Sequence, residues 1–288
     1  MRKAIVKTNI RFALLLLLTF VLVASGCSVP REKRAEKTFN EAIEAYMSRR
    51  YNKAKLLLDS VLYTYPDLKK LARESKDMLE IIYKTEQERN LMFLDSLLQI
   101  REQEVKPLLA QFEAEDPEQE NPVLIHKKQN AQHAFERAYI RAHVDKNGTF
   151  YVSSHYTGPG YIHHYAVKAT VDDMYQQTDS IGEEAYVHSF ENDGTVWEIV
   201  KYKNGADNGL ASFVANNFDK PIDIHFIGDN TDCRFRMTEV DKQAFRETYQ
   251  LAMLLRETVQ IKSQIRNVKM AMKKKYSGES EESNDGRN

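Results

Sequence analysis

The sequence predicts an α+β protein: an antiparallel β-domain, closed as a barrel or folded as a sandwich, inserted between two long helices. Three observations predict it. Apolar residues keep helical spacing from Asp67 to about Glu115, a stretch without glycine. They keep it again after Thr238. Between the two, residues 122–237 gain proline, glycine, asparagine, tyrosine and β-branched residues, and short alternating runs replace the helical period. The expected order is a leader at 1–26, an anchor and helix pair at 27–66, a long helix at 67–116, the β-domain at 117–237, a C-terminal helix at 238–276 that pairs with the first, and a disordered tail at 277–288.

The leader comes first. Arg2, Lys3, Lys7 and Arg11 give a cationic start without an acid, and Phe12 to Val23 is almost wholly apolar. Twelve residues make a helix only about 18 Å long, too short for a hydrocarbon layer of about 30 Å. The run ends on "VASGC", with Cys27 after three small residues. That ending resembles the lipobox of bacterial lipoproteins. The resemblance implies cleavage before Cys27, a diacylglyceryl group on its sulfur and acylation of its new amino terminus, together a stable membrane anchor. The residues after Cys27 are "SVPREKRAEK", with no Asp directly after the cysteine and no acidic run. In that family this pattern implies the outer membrane, on its periplasmic side.

Removing four of the 41 Lys and Arg with the leader leaves 37 against 42 Asp and Glu, a net charge of about −5. Nothing in that balance points to nucleic acid. With Cys27 lipidated, Cys233 has no partner among the two cysteines, so the fold must rest on its core and not on disulfides.

Pro30 suits a first helical turn, and Phe39, Ala42, Ile43 and Tyr46 then share a face. A break at "SRRYN" precedes a second helix lined by Ala54, Leu57, Leu58 and Val61 and closed by "YPD". This segment resembles a tetratricopeptide repeat: Ala42, Ala54 and Val61 stand at its small-residue positions and Pro66 at its closing proline, while Thr38 replaces its large aromatic. One such repeat buries too little alone and needs a neighbouring helix or a partner.

The long helix carries a coiled-coil seam at Leu91, Leu94, Leu98, Arg101, Val105, Leu108 and Phe112. A matching seam runs through Leu251, Leu254, Thr258, Ile261, Ile265, Val268 and Met272, behind a capping-box start "TEVD" at 238–241. An antiparallel pair within one chain is expected, with a homodimer through either seam as the alternative. A helix from Asp67 to Glu115 would measure about 73 Å.

Eight runs read as strands: "AYIRAHV" from 138, "TFYVSSH" from 149, "YIHHYAVKATV" from 161, "AYVHSF" from 185, "VWEIVKY" from 196, "LASFVAN" from 210, "IDIHFIG" from 222 and "DCRFRM" from 232. In the first hairpin, a three-residue loop with a left-handed Gly148 sets Val144 opposite Phe150 and Ala142 opposite Val152, giving one coherent apolar face. Tyr139, Arg141, His143, Tyr151 and His155 then share the other face, which is expected to be an exposed contact surface because aromatics and arginine recur at such surfaces.

Eight histidines raise the question of metal. Adjacent His163 and His164 point to opposite faces of a strand, with His163 inward by the alternation of Tyr161, Tyr165 and Val167, and no carboxylate or thiolate stands at a ligand spacing. No metal or cofactor is therefore expected, and Cys233 alternates with Phe235 and Met237 as a small core residue. The catalytic signatures G-x-S-x-G and H-E-x-x-H and a phosphate-binding glycine loop are missing. The order of parts resembles uncharacterised envelope lipoproteins with a helical stalk and a small β-domain, an architecture without an activity. The favoured function is a non-enzymatic scaffold or interaction module, its partner an envelope protein or the cell wall. The alternative is a small-ligand or glycan-binding protein or a hydrolase, with a site in the β-domain that a pocket lined by His143, His155 and a carboxylate from another strand would reveal.

Overall fold

The computed structural model describes residues 30–129, 136–181, 186–229 and 231–277. Cys27 with its leader, and the tail beyond 277, lie outside the described residues. The architecture is mixed α+β, with five α-helices and two antiparallel sheets among the described residues. The chain divides into two compact units, residues 1–90 and 91–288.

The first unit holds α1 (Arg31–Met47), α2 (Tyr51–Thr64) and the part of α3 (Lys69–Leu109) up to Asn90. Pro30 presets the entry to α1, and its carbonyl accepts from Arg34 N at 3.2 Å. Ala42, Ala45 and Ala54 are fully buried, and with no side chain beyond Cβ they let α1 and α2 approach closely around Leu58. Leu79 and Ile82 of α3 close that core. Between α1 and α2 the chain reverses through Arg49 at φ 57°. Arg49 N donates to Tyr46 O and Arg50 N to Ala45 O, both at 2.8 Å, the paired bonds of a Schellman motif. Arg31 forks onto Asp67 at 2.9 and 2.7 Å and ties the start of α1 to the segment after α2.

The second unit is built on two sheets. The first has strand order β1-β2-β3-β4-β8-β7, from Phe112–Ala114, Val123–His126, Tyr139–Asp145, Phe150–Gly158, Thr195–Tyr202 and Val187–Asn192 respectively. The second runs β10-β9-β5-β6, from Cys233–Arg236, Asp223–Gly228, His164–Val171 and Met174–Gln177. Ile140, Ala142, Val152 and Val200 of the first sheet share a core with Val167, Ala169, Ile224 and Phe226 of the second. No pairing closes these strands on themselves, so the barrel expected as one alternative does not form. Phe245 of α5 (Glu239–Ser277) enters the same core. Thr238 starts α5, its Oγ1 accepting from Asp241 N at 3.1 Å and donating to Asp241 Oδ2 at 2.7 Å.

Within this unit, Leu94 of α3 is buried with Ile261 and Ile265 of α5, and Val105 with Leu251 and Ala252. Ion pairs Arg101–Glu257 at 2.7 Å and Lys262–Glu102 at 2.8 Å flank these contacts. The helix ends at Leu109 and not near Glu115, because Pro107 lacks an amide hydrogen and crowds the preceding turn. Phe112 therefore begins β1 instead of extending the seam.

The first hairpin has the three-residue loop. Val144 pairs with Phe150 and Ala142 with Val152, and Gly148 sits at φ 78°. A Cβ there would come within 2.5 Å of Arg256 N, so the loop needs glycine both for its backbone angle and for its seat on α5. Three expectations do not hold. "LASFVAN" is a helix, α4 (Leu210–Asn216), since Leu210, Ala211, Val214 and Ala215 are the buried residues and share a helical side, whereas a strand would bury alternate ones. Second, His164 is the inward residue and His163 the outward one. A bulge between His164 and Ala166 resets the alternation, and His163 stands at φ 50°. Third, β1, β2 and β6 were not among the expected strands.

Candidate functional site

The register of β3 on β4 sets Tyr139 opposite His155, Arg141 opposite Ser153 and His143 opposite Tyr151. Since side chains alternate across a strand, these six share one face of the first sheet. The β8 strand pairs with the other edge of β4 and adds Trp197, Ile199 and Lys201 to that face, opposite Thr157, His155 and Ser153. Phe190 of β7 lies opposite Trp197, the two rings stacked at 5.0 Å. Together they line a cavity of about 240 Å³, which Arg137 and Glu115 also border.

All five sequence-predicted residues come together here, but not as an exposed surface. Tyr139, Arg141 and His143 are 3, 6 and 3 % exposed, and Tyr151 and His155 are half-buried. The reason is that large flat side chains cover each other across the strands. Tyr139 stacks on His155 at 4.5 Å and His143 on Tyr151 at 4.4 Å, while the guanidinium groups of Arg137 and Arg141 lie over the Tyr139 ring at 5.4 and 5.3 Å.

The electrostatics of the cavity are set by Arg141. Its Nη2 donates to Tyr139 Oη at 2.9 Å, its Nε has no partner, and among the described residues no carboxylate pairs with it. Arg137 differs, because Asp241 accepts from it at 2.6 Å. Burial pushes the His143 and His155 imidazoles well below the ordinary histidine range, and the nearby Arg141 charge adds to it. Both rings are neutral at pH 7. Burial also holds the Tyr151 hydroxyl up, to about 12, with Glu115 contributing.

Ser153 Oγ lies 2.7 Å from His143 Nε2 and 2.7 Å from His155 Nε2. One hydroxyl proton serves both contacts, so one ring accepts from Ser153 and the other donates to it, in complementary tautomers. Among the described residues His143 Nδ1 has no partner, and no carboxylate orients either ring. A nucleophilic serine needs an imidazole base held by an acid, and that third member is missing here.

A different triplet has all three members. Ser154 Oγ lies 2.7 Å from His164 Nε2, and His164 Nδ1 lies 2.8 Å from Glu198 Oε2. All three are buried in the sheet interior, and none lines a cavity described for the chain. Glu198 also accepts from the backbone amides of Ile162 at 2.7 Å, His163 at 2.9 Å and His164 at 3.1 Å. Burial opposes ionisation, but these bonds outweigh it and hold the carboxyl at about 2. The triplet fastens the turn before β5 to β8.

Sequence reasoning did not collect Ser153, Phe190, Trp197, Ile199 or Lys201. The alternation of "VWEIVKY" was a signal, since Trp197, Ile199 and Lys201 share a face, but nothing local says that β8 pairs with β4 some forty residues earlier. Glu198 was visible as the one acid on the apolar side of that run. Among the described residues no group of three or more His, Cys, Asp and Glu is placed to hold a metal, and no helix is long and apolar enough to cross a membrane. Cys233 is half-buried against the core, and burial raises its thiol pKa. No protein-family model, no curated protein and no solved structure matches the chain.

Proposed function

We propose that this protein is a lipid-anchored envelope lipoprotein whose β-unit binds a small ligand in the cavity between β3, β4, β8 and β7. The observation that carries this reading is Arg141, a guanidinium 6 % exposed at the wall of a cavity with no carboxylate partner among the described residues. A buried charge without a counter-ion costs several kcal/mol, and a site that a ligand completes is the usual reason to keep one. His143, His155 and the carboxylate of Glu115, the residue after β1, border the same cavity, which supports a ligand site there. Binding is favoured over turnover because the only serine on this wall faces two neutral imidazoles that lack an orienting acid.

Attachment rests on "VASGC", which implies lipid on Cys27, and the residues after it, "SVPREKRAEK", imply the periplasmic side of the outer membrane. A tetratricopeptide-like role for α1 and α2 is supported by their fully buried Ala42, Ala54 and Val61, and by Leu56 and Tyr63, which remain 71 and 90 % exposed for contacts with an envelope partner or a second copy. Coiled-coil packing of α3 on α5 is supported by the Leu94, Ile261 and Ile265 contacts. The test has two arms. Cys27→Ala should abolish fatty-acid labelling and release the protein from membranes; persistent attachment would remove the anchor. Trp197 is the only tryptophan in the chain, so a screen of small molecules by tryptophan emission reads the cavity directly. A screen in which nothing shifts the emission would count against a ligand site.

A further inference from the structure

Resting on the cavity assignment above, we infer that its ligand is a small organic carboxylate, the anionic end held by Arg141 and Lys201 and a flat apolar body set against Trp197, Phe190 and Ile199. The charges decide the sign. The cationic groups at the wall are Arg137, Arg141 and Lys201, and the acid is Glu115. Asp241 neutralises Arg137, and among the described residues no ion pair engages Arg141 or Lys201. Lys203 adds a further cation beside the Tyr151 ring at 4.7 Å. The field inside is positive, which repels amines and metal cations and attracts an oxyanion.

The donors decide the group. One guanidinium nitrogen of Arg141, Nη2, is engaged by a neutral hydroxyl, Nε is closed off from solvent, and the Nη1–Nη2 end of the planar fork meets no carboxylate among the described residues. A carboxylate accepts such a fork through two parallel bonds. Tyr139 and Tyr151 carry their protons at neutral pH as any tyrosine does, and burial raises both hydroxyls further. The rest of the wall decides the body. Phe190 and Trp197 stack with only 12° between their planes, and Ile199 continues the apolar strip. A volume of about 240 Å³ lies below the roughly 300–1,000 Å³ of drug-sized pockets, so the ligand is small.

The test uses the full chain in detergent and three probes of one shape: benzoate, its neutral amide benzamide, and cationic benzylamine. Titration is followed by Trp197 emission and by calorimetry. Benzoate should bind at least about tenfold more tightly than either other probe, because only it satisfies the guanidinium fork. Arg141→Gln should abolish that preference. Lys201→Gln, at a half-exposed position that leaves the core intact, should weaken benzoate about threefold to tenfold and leave benzamide unchanged. If Arg141→Gln does not fold, the probe series on the unaltered chain and Lys201→Gln still decide. Benzamide or benzylamine shifting Trp197 as strongly as benzoate would overturn the carboxylate and leave the cavity as a binding site. No heat and no emission change with any probe would overturn both.

Discussion

Ser153 and Ser154 are neighbours on β4, and each sits 2.7 Å from an imidazole Nε2. On one face, Ser154 and His164 are completed by Glu198 and closed in by the sheet interior. On the other, Ser153 lies between His143 and His155 beside a cavity that Arg141 also lines, and among the described residues no acid orients either ring. One face has the bonding of a catalytic triad without access, and the other has access without the triad. The difference teaches that a serine–imidazole distance carries no functional information until burial and the third group are known. The same bond fastens a turn on one side and shapes a cavity wall on the other.

The sharpest way to break this comparison is to remove its acid. Glu198→Ala should destabilise the protein by about 3–5 kcal/mol, since it leaves the Ile162, His163 and His164 amides and the His164 ring without an acceptor in the interior. Equilibrium urea unfolding measures it. A loss below about 1 kcal/mol would mean that the triplet is not structural.

Acid should separate the two faces by window. Glu198 has a folded value of about 2, depressed from 4.5, so its contribution is full above 4.5 and is lost as pH falls toward 2. Its size is on the order of 3 kcal/mol. His143 and His155 are depressed below 6.5, so the unfolded chain takes up their protons first and stability starts to fall as pH drops through about 6.5. Urea midpoints from pH 8 to 3 should show a first decline near 6 that His143→Gln diminishes, and a second below 4.5 that it does not.

Gly148→Ala tests the loop that fixes which serine faces which way. A β-carbon at φ 78° meeting the Arg256 and Ala252 backbone should cost about 2–3 kcal/mol, read as a lowered Tm. The smallest contrast is the direct one. Ser154→Ala should cost about 1–2 kcal/mol because His164 Nε2 loses its partner in the interior, and Ser153→Ala at least as much, because Ser153 is fully buried and both His143 Nε2 and His155 Nε2 lose theirs. An unchanged Tm for either variant would mean that its imidazole contact does not form.

Legibility from sequence followed the range of the interaction. The β3–β4 register was readable because one loop and one apolar face determine it, and this brought Tyr139, Arg141, His143, Tyr151 and His155 together. Their burial was not readable, because it comes from stacking between strands and from β8 and β7, whose positions no local pattern reports. Alternation also misled where a bulge intervened, inverting His163 and His164. Residues 210–216 show the limit of short apolar runs, for seven residues of which five are Leu, Ala, Phe or Val fit either period, and packing beside α5 selected the helix.

The cavity wall has unequal halves. Its floor, β4, is hydrogen-bonded on both sides, whereas β7 pairs only with β8 and is exposed along its whole length from Val187 to Asn192. A strand with one paired edge and no burial opens locally at little cost, while a central strand opens only when the unit unfolds. Amide hydrogens of β7 should therefore exchange within seconds to minutes and those of β4 over hours or longer. Phe190 rides on the fast half, so in the proposed binding site the rate of ligand entry and exit would be set by the fraying of an edge and not by the rigidity of the floor.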